Sequence, residues 1–270
     1  MRGQARLAQE ERGAVVAGAL LGVLQAGAAA PEQAGEREVE STLAQQPDVE
    51  EQAAGPMINP VEMAYPDHKK IEAVLLSIPQ YVELFKKAFP EDKAPVNIKN
   101  MTYAIGAFER RLVTPSRFDK MLAGDMKALT DEERIGFNKF LDSGCIACHM
   151  GNQLGGTMYQ KLGLIKPWPS EKDPGRFQTT KNESDRMFFK VPGLRNVAKT
   201  APYFHDGSVA TLEEAVKLMG THQAGRDLSD ADVKAIATFL GSLTGDLPTE
   251  FIKKPELPPS TKKTPKPNPV

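Results

Sequence analysis

The chain has 270 residues, with 34 Lys and Arg against 35 Asp and Glu, so its formal net charge is -1. A chain this close to neutrality has no global electrostatic attraction to nucleic acid, and we expect no nucleic-acid partner. With Gly counted and Tyr left out, apolar residues make up about 46% of the sequence, which is usual for a folded globular chain. Only two Cys are present, which excludes a disulfide-rich scaffold and a four-thiolate zinc or iron-sulfur site.

The N-terminal segment has the pattern of an export signal. Three Arg precede an apolar stretch over residues 13–24, and small residues follow it up to Ala30. We therefore predict a signal peptide over residues 1–30, although two Glu near the Arg leave a fortuitous Ala/Gly-rich leader as the alternative. No later apolar run reaches the roughly 18 residues that span a bilayer, so no membrane span is expected after signal removal. Residues 31–47 have few large apolar side chains and predict a linker.

Helical periodicity begins near residue 67. A first apolar stripe ends where Pro79 breaks or kinks the element, a second stripe follows, and Asn97 caps a third. The spacing of three and four residues predicts packed helices, each with one buried face. The stripes consist of Ile71, Val74, Leu75 and Ile78; of Tyr81, Leu84, Phe85 and Phe89; and of Ile98, Met101, Ile105, Phe108 and Leu112.

Three further helices are predicted from their N-terminal caps. Thr130 and Glu133 form a capping box, Thr211 and Glu214 form another, and Ser229 caps the last helix. Each cap is followed by an apolar stripe at helical spacing, so the whole chain is predicted to be mainly α. The stripes are Ile135, Phe137, Phe140 and Leu141; Leu212, Ala215, Val216 and Met219; and Val233, Ile236, Ala237, Leu240 and Leu243.

The segments between and after these helices are predicted to be irregular. Residues 151–195 are rich in Gly and Pro, show no sustained period and predict one long loop, which in a compact domain is usually functional. Gly245 is expected to end the last helix. The tail from Pro248 holds many Pro and Lys, and we expect it to be extended along the surface.

The motif Cys145-Ile-Ala-Cys148-His149 is the signature of covalently attached haem c. The two thiols lie one helical turn apart, so each can add to one vinyl group of the porphyrin, and His149 follows as the proximal ligand of the iron. One alternative is a redox dithiol, which favours a βαβ setting that this helical pattern does not supply. The other is a zinc half-site, which lacks a second pair of ligands here.

A haem iron held by His149 has a second axial position. Met219 lies one helix before the C-terminal helix, where a cytochrome-like fold would bring it across the haem. The alternative is that Met219 is simply a core residue, as Met at helical spacing usually is. Met158 and Met187 compete for the same role, whereas Met150 is too close to His149 to reach the opposite face.

Two long segments resemble one protein family. The segments from Phe189 to Ser208 and from Thr211 to Gly220 resemble the C-terminal half of bacterial di-haem cytochrome c peroxidases. The segment from Glu50 to Met63 resembles the loop over the peroxide-reacting haem of the same family. The resemblance covers about Asp48 to Gly245 and therefore reaches into both family domains.

The resemblance implies a domain organisation. A cytochrome c-type haem domain is expected over residues 129–247, preceded over residues 48–128 by a partial second cytochrome c-like domain, the peroxidatic one. Residues 248–270 would form an extended tail. The implied fold class is mainly α, in agreement with the helical periodicity.

The resemblance also implies the site residues. His149 and Met219 would be the axial ligands of the high-potential, electron-accepting haem. Gln52 and Glu62, ten residues apart as in the family, would lie at the peroxide site, where Glu62 moves a proton between the peroxide oxygens. Taken without the resemblance, Glu62 would be a surface residue in a Pro-bounded turn.

Two further features of the family site have counterparts here. Thr200 and Pro202 would supply backbone carbonyl oxygens to a calcium ion between the two haems, as suits a hard cation. His205 would lie near the haem edge. Taken without the resemblance, His205 would more often be a hydrogen-bonded structural histidine.

The family reaction is the reduction of hydrogen peroxide to water in the periplasm, with electrons from a small c-type cytochrome or a cupredoxin. Family members commonly pair, so the resemblance allows a homodimer, which the sequence itself does not determine. One alternative is a mono-haem electron-transfer protein, since an iron with His and Met ligands has no vacant position for peroxide. A second alternative, the related di-haem enzyme of methylamine metabolism, is disfavoured because it has Tyr in place of Met219.

The sequence departs from the family in its haem motifs. Family members carry a second Cys-x-x-Cys-His motif in the N-terminal domain and a Trp between the haems. This chain has no other Cys, and its single Trp168 follows the C-terminal motif. We therefore expect one covalent haem site in a chain that is truncated, wrongly started or degenerate; an in-frame second motif upstream in the genome would decide between these.

Overall fold

The computed structural model describes residues 48–60 and 62–266. Within this part the chain forms two compact units. The first unit comprises the described residues up to Val113 together with those from Pro248 onward. The second unit comprises Thr114–Leu247.

The boundary between the units differs from the prediction. It lies after Val113, not after residue 128. The physical reason is a short helix just beyond the boundary, whose Phe118 and Met121 are buried in the core of the second unit. The predicted signal peptide and linker, residues 1–47, lie outside the described residues.

The first unit is a group of packed helices. Its elements are α1 (Val49–Ile58), α2 (His68–Leu76), α3 (Pro79–Ala88) and α4 (Ile98–Glu109). Asp48, Asp67 and Asn97 cap α1, α2 and α4, each accepting a hydrogen bond from a backbone amide in the first turn. Pro79 opens α3, where its missing N–H costs no helical hydrogen bond. The local sequence therefore determines where each of these helices begins.

The core of the first unit lies between these helices. Tyr81, Phe85 and Met101 are fully buried there, and α1 packs against α4. Complete burial of a large apolar side chain contributes about 1.5–3 kcal/mol, so the predicted stripes are also the main stabilising contacts of this unit. Leu112, predicted to extend the stripe of α4, lies beyond the end of that helix and is 42% exposed.

The C-terminal tail packs back on the first unit. Phe251 stacks on Phe108 with ring centroids 4.9 Å apart, and the guanidinium of Arg111 lies 4.2 Å from the centroid of Phe251. Further along, the hydroxyl of Thr261 donates to the carbonyl of Ser77 at 2.9 Å. The described part of the tail contains no helix or strand, as its prolines predict.

The second unit is also mainly helical. Its elements are α5 (Arg117–Leu122), α6 (Asp131–Asp142), α7 (Phe177–Thr180), α8 (Leu212–Leu218) and α9 (Asp230–Gly241), with the two-stranded antiparallel pair β1 (Tyr159–Lys161) and β2 (Phe188–Lys190). Three short 3₁₀ turns cover Cys145–Ala147, Glu183–Asp185 and Val197–Lys199, and a π-helix covers Met219–Ala224. The predicted mainly α fold is confirmed.

The centre of the second unit is the close crossing of α6 and α9. Gly136 makes this approach possible, because a Cβ atom there would lie 2.0 Å from the carbonyl oxygen of Ala235. Around the crossing, Phe118 and Phe140 lie with their ring centroids 5.8 and 5.5 Å from that of Phe239. These aromatic rings fill the space beside Gly136, so the close crossing of α6 and α9 and the packing of the core depend on each other.

Two predictions about these helices are wrong in detail. Ile135 was expected in the buried stripe of α6 but is 55% exposed, because the next residue, Gly136, faces α9 and successive helical residues point about 100° apart. The last helix ends at Gly241, before Gly245. Gly245 serves instead for a close backbone approach, since a Cβ atom there would lie 1.9 Å from the carbonyl oxygen of Thr114.

The segment 151–195 is not one featureless loop. It contains β1 and β2, whose pairing places Tyr159 opposite Lys190, together with α7 and one 3₁₀ turn. The strands are three residues long, too short to show an alternating apolar pattern, so periodicity could not reveal them.

Candidate haem site

Cys145 and Cys148 lie together on the tight turn that follows α6. Gly144 reverses the chain with a φ of 82°, and the 3₁₀ turn Cys145–Ala147 follows. The backbone N–H of His149 donates to the carbonyl of Cys145 at 3.0 Å, which closes the turn. Both cysteines are free thiols and partly exposed. The turn therefore presents two thiols and an imidazole within five consecutive residues.

The imidazole of His149 is oriented by a backbone carbonyl. Its Nδ1 lies 3.1 Å from the carbonyl oxygen of Leu154. A carbonyl oxygen only accepts hydrogen bonds, so Nδ1 carries the hydrogen and Nε2 keeps its lone pair. Burial of the ring lowers the pKa of His149 and outweighs the hydrogen bonds to the backbone of Leu154 and Pro192, which act to raise it. The lowered pKa favours the neutral imidazole that metals bind. His149 is thus in the form that an iron ligand requires.

The loop that supplies this carbonyl is tightly packed. Gly155 has a φ of 130°, and a Cβ atom there would lie 2.1 Å from the carbonyl oxygen of Pro192 and 3.1 Å from Nδ1 of His149. Leu154 itself has a φ of 50°, unusual for a residue with a side chain. The close approach of the loop to the imidazole therefore depends on a glycine next to Leu154.

The chemistry of the thiols agrees with haem attachment. Burial raises the pKa of Cys145 to about 11, so the thiol is protonated at neutral pH. A redox dithiol needs a lowered thiol pKa, so that alternative is disfavoured. Among the described residues, no group of three His, Cys, Asp or Glu could hold a metal ion. The residues present fit haem c, with two thiols for thioether bonds and one imidazole for the iron.

The other predicted haem ligands lie in the same unit. Met219 follows α8 directly, is half-buried and begins the π-helix Met219–Ala224. Such π segments occur frequently at functional sites. His205 is half-buried and stacks on Phe189 with ring centroids 4.2 Å apart. The structure therefore has Cys145, Cys148 and His149 on one turn, with Met219 and His205 elsewhere in the same unit.

A buried histidine near Met219 was not found from the sequence. His222, on the π-helix, is 7% exposed, and its Nδ1 lies 3.0 Å from the carbonyl of Pro167. The carbonyl of His222 accepts hydrogen bonds from the amides of Ile165 and Lys166, both at 3.1 Å. These partners are backbone groups far away in the sequence, so no sequence motif reveals the contacts of His222.

Gln52 and Glu62 lie in the first unit. Gln52 is half-buried on α1, and Glu62 is half-buried in the turn after it, where its amide donates to the carbonyl of Asn59 at 3.0 Å. The segment expected to be a loop is therefore helical up to Ile58. Its N-cap, Asp48, and two acidic residues in the first turn explain the helix.

Thr200 and Pro202, predicted to bind calcium through their carbonyl oxygens, are exposed residues of the second unit. Thr200 follows the 3₁₀ turn Val197–Lys199, and its hydroxyl donates to the carbonyl of Val197 at 3.1 Å. The peptide bond between Ala201 and Pro202 is cis.

The fold and the cysteine turn define this chain as a c-type haem protein. More particularly, it belongs to the bacterial di-haem cytochrome c peroxidase family. A family model described as di-haem cytochrome c peroxidase matches residues 17–127. This match begins before Asp48, where the resemblance was expected to start, and it includes part of the predicted signal peptide.

Named relatives support the family. The chain is 51% identical over 225 residues to cytochrome c551 peroxidase of Nitrosomonas europaea, an alignment that covers 82% of this chain and 66% of the relative. It is 48% identical over 226 residues to cytochrome c551 peroxidase of Pseudomonas aeruginosa, covering 82% of this chain and 64% of the relative. The chain thus spans slightly less than two thirds of the length of these relatives.

A solved structure has a similar fold. It is a MauG-like protein associated with microbial copper homeostasis, with a TM-score of 0.64 and 27% identity, covering 77% of this chain and 71% of the other. No helix of the described ranges is both long and apolar enough to cross a membrane.

Proposed function

We propose that the protein is a periplasmic cytochrome c peroxidase that reduces hydrogen peroxide to water with electrons from a small c-type cytochrome or a cupredoxin. In this proposal the chain carries the high-potential electron-transfer haem. The observation that carries it is the geometry of His149, whose Nδ1 hydrogen bonds to Leu154 and leaves Nε2 for iron beside two free thiols. Relatives named cytochrome c551 peroxidase support the reaction.

Each predicted haem residue of the second unit has a definite role in this proposal. Cys145 and Cys148 would form the thioether bonds to haem c, and His149 and Met219 would bind its iron. Haem c, when bound, supplies an iron that accepts and donates one electron at a time. The chain holds the imidazole neutral and oriented through the carbonyl of Leu154. His205, whose ring stacks on Phe189, would lie near the haem in this proposal.

The proton chemistry is assigned to the first unit. Reduction of one peroxide molecule consumes two electrons and two protons and forms two water molecules. There the carboxylate of Glu62 would take a proton from one peroxide oxygen and return it to the other, which would leave as water. The remaining oxygen would take the two electrons from the peroxide-reacting haem of the family, for which this chain has no second pair of Cys. The amide of Gln52 donates a hydrogen bond at the same site. In the second unit, Thr200 and Pro202 would hold calcium through their backbone carbonyl oxygens in this proposal.

One observation favours a second candidate function, mono-haem electron transfer without peroxidase activity. The chain has two Cys and therefore one covalent haem motif. An iron with two protein ligands has no vacant position for peroxide, so this site by itself is suited to electron transfer. In that case Gln52 and Glu62 have no catalytic role.

Steady-state peroxide turnover with a reduced small c-type cytochrome separates the two functions. We expect turnover in the haem-loaded protein and a loss of kcat of about 100-fold or more in Glu62→Gln, the usual contribution of a general acid/base. Glu51→Gln, which changes an exposed carboxylate on α1, is the matched control and should keep its kcat. Absence of turnover in a haem-loaded protein that still accepts electrons would establish the electron-transfer function instead.

A further inference from the structure

Arg195 joins two parts of the second unit. Its guanidinium pairs with the carboxylate of Asp119 on α5, with Nη1 3.0 Å from Oδ2 and Nη2 2.8 Å from Oδ1. Its Nε donates to the carbonyl oxygen of Asn152 at 2.8 Å. The side chain is only 15% exposed, and its guanidinium lies 5.0 Å from the centroid of the Phe118 ring. One planar group thus holds a helix and a loop in fixed relation.

The loop held by Arg195 is the one that orients His149. Asn152 is two residues before Leu154, whose carbonyl accepts the hydrogen bond from Nδ1 of His149. Two backbone hydrogen bonds join the same segments: the amide of Leu194 donates to Gln153 at 3.0 Å, and the amide of Gly156 donates to Val191 at 2.8 Å. Of these three links, only that of Arg195 uses a side chain and can be removed by substitution.

The acidic end of this link is itself fixed. Asp119 accepts from the amide and the hydroxyl of Ser116, at 2.7 and 2.9 Å, within a capping box at the start of α5. Burial acts to raise the pKa of Asp119, but the hydrogen bonds from Ser116 and Arg195 outweigh it and hold the pKa below the usual range. The carboxylate is therefore charged, and the guanidinium has a rigid anchor.

We propose that Arg195 is a positioning residue for the proximal ligand. By holding the carbonyl of Asn152 against the Asp119 anchor, it keeps the loop in place so that Leu154 accepts from Nδ1 of His149. This bond gives the imidazole partial anionic character, which stabilises ferric iron. The inference rests on haem binding at His149, as in the proposed function, but requires neither Met219 ligation nor peroxidase activity.

The test uses the haem-loaded protein and the variants Arg195→Gln and Arg195→Lys. We expect the midpoint potential of the haem to shift upward in both, and the hydrogen at Nδ1 of His149 to exchange with solvent about tenfold faster, as followed by NMR. Lysine keeps the charge but cannot bridge Asp119 and Asn152 with a planar fork, so its shift should be smaller than that of Gln and in the same direction.

Arg186→Gln is the matched control. Arg186 also pairs with a carboxylate through two nitrogens, at 2.8 and 2.9 Å from Glu183, and also lies over an aromatic ring, 4.1 Å from the centroid of Phe177. It makes no hydrogen bond to the loop of His149. In this control the midpoint potential of the haem and the exchange rate of the hydrogen at Nδ1 of His149 should both match those of the wild-type protein.

Asp119→Asn keeps the proposal testable if both Arg195 variants fail to fold. It weakens the anchor without removing the guanidinium, and an upward shift of the potential is again expected. Wild-type potential and exchange in a folded Arg195 or Asp119 variant would overturn the proposal. Failure of the wild-type chain to attach haem, measured by mass, would overturn haem binding itself and is thus distinguishable.

Discussion

At the residue scale, the pKa of an ionisable side chain in this chain depends on its burial and its neighbours as well as on its own chemistry. Glu109, the last residue of α4, has a buried carboxylate oxygen, Oε2, with no hydrogen-bond partner within the part of the chain that the structure describes. Burial and the negative charge of Glu50 raise the pKa of Glu109, against the opposing charge of Arg110. Its position at a helix C-terminus also disfavours the anion.

Glu109→Gln is therefore expected to stabilise the protein at neutral pH. Because the pKa of Glu109 is raised in the folded state, the native state binds more protons than the unfolded state, whose Glu pKa is about 4.3. The stability of the wild-type protein therefore falls as the pH rises from about 4.3 through the folded pKa of Glu109. The variant should gain about 0.5 kcal/mol of unfolding free energy at pH 8, a small value because solvent screens a half-buried group. Chemical denaturation between pH 4 and 8 measures it.

The gain from Glu109→Gln should shrink as the pH falls and vanish near the unfolded pKa of about 4.3. Glu91→Gln, at an exposed position of the first unit, is the control for replacing a carboxylate by an amide and should change the unfolding free energy by no more than about 0.5 kcal/mol. A gain of the same size at every pH would show that Glu109 does not titrate with a raised pKa.

Met219→Ala tests the proposed second axial ligand. If Met219 binds the iron, the charge-transfer band of Met ligation to ferric haem disappears from the oxidised protein, because Ala offers no ligand atom. The optical spectrum of the oxidised protein is the measurement. Met158→Ala removes a competing methionine and should keep the band. Persistence of the band in Met219→Ala would exclude Met219 as the ligand.

At the scale of elements, the helix starts marked by a cap and a following apolar stripe were predicted, whereas the starts of α1 and α5 were missed despite their caps. Asn97, Thr130 and Ser229 cap helices where the sequence places them, because an N-cap hydrogen bond is a local interaction. The end of α9 at Gly241 and the strand pair in segment 151–195 depend on distant contacts. A single sequence carries no local signal for such contacts.

Gly136→Ala tests the crossing of α6 and α9. A Cβ atom at Gly136 would overlap the carbonyl of Ala235, so the helices must move apart, and we expect a loss of about 2 kcal/mol in unfolding free energy. Gly241→Ala is the control, because a Cβ atom at Gly241 meets nothing within 4 Å. This control should be neutral or more stable by about 0.5 kcal/mol, owing to the better helix propensity of Ala. Equal stabilities of the two variants would contradict the proposed close packing.

At the scale of the whole molecule, the haem-binding turn was predictable from the sequence, whereas the contacts that orient His149 were not. Cys145, Cys148 and His149 are contiguous, so a motif reveals them. The carbonyl of Leu154 and the link through Arg195 are revealed only by the fold, because a backbone acceptor has no sequence signature and Arg195 is 43 residues from Asn152. The division into two units likewise depends on which core receives Phe118 and Met121.

The central claim is that this chain carries one covalently attached haem at Cys145 and Cys148. The intact mass of the denatured protein, produced in its own host, tests it most directly, because thioether-bound haem survives denaturation. We predict a polypeptide carrying one haem, and a mass of polypeptide alone for the double variant Cys145→Ser, Cys148→Ser. A wild-type protein whose mass shows no attached haem would contradict the claim.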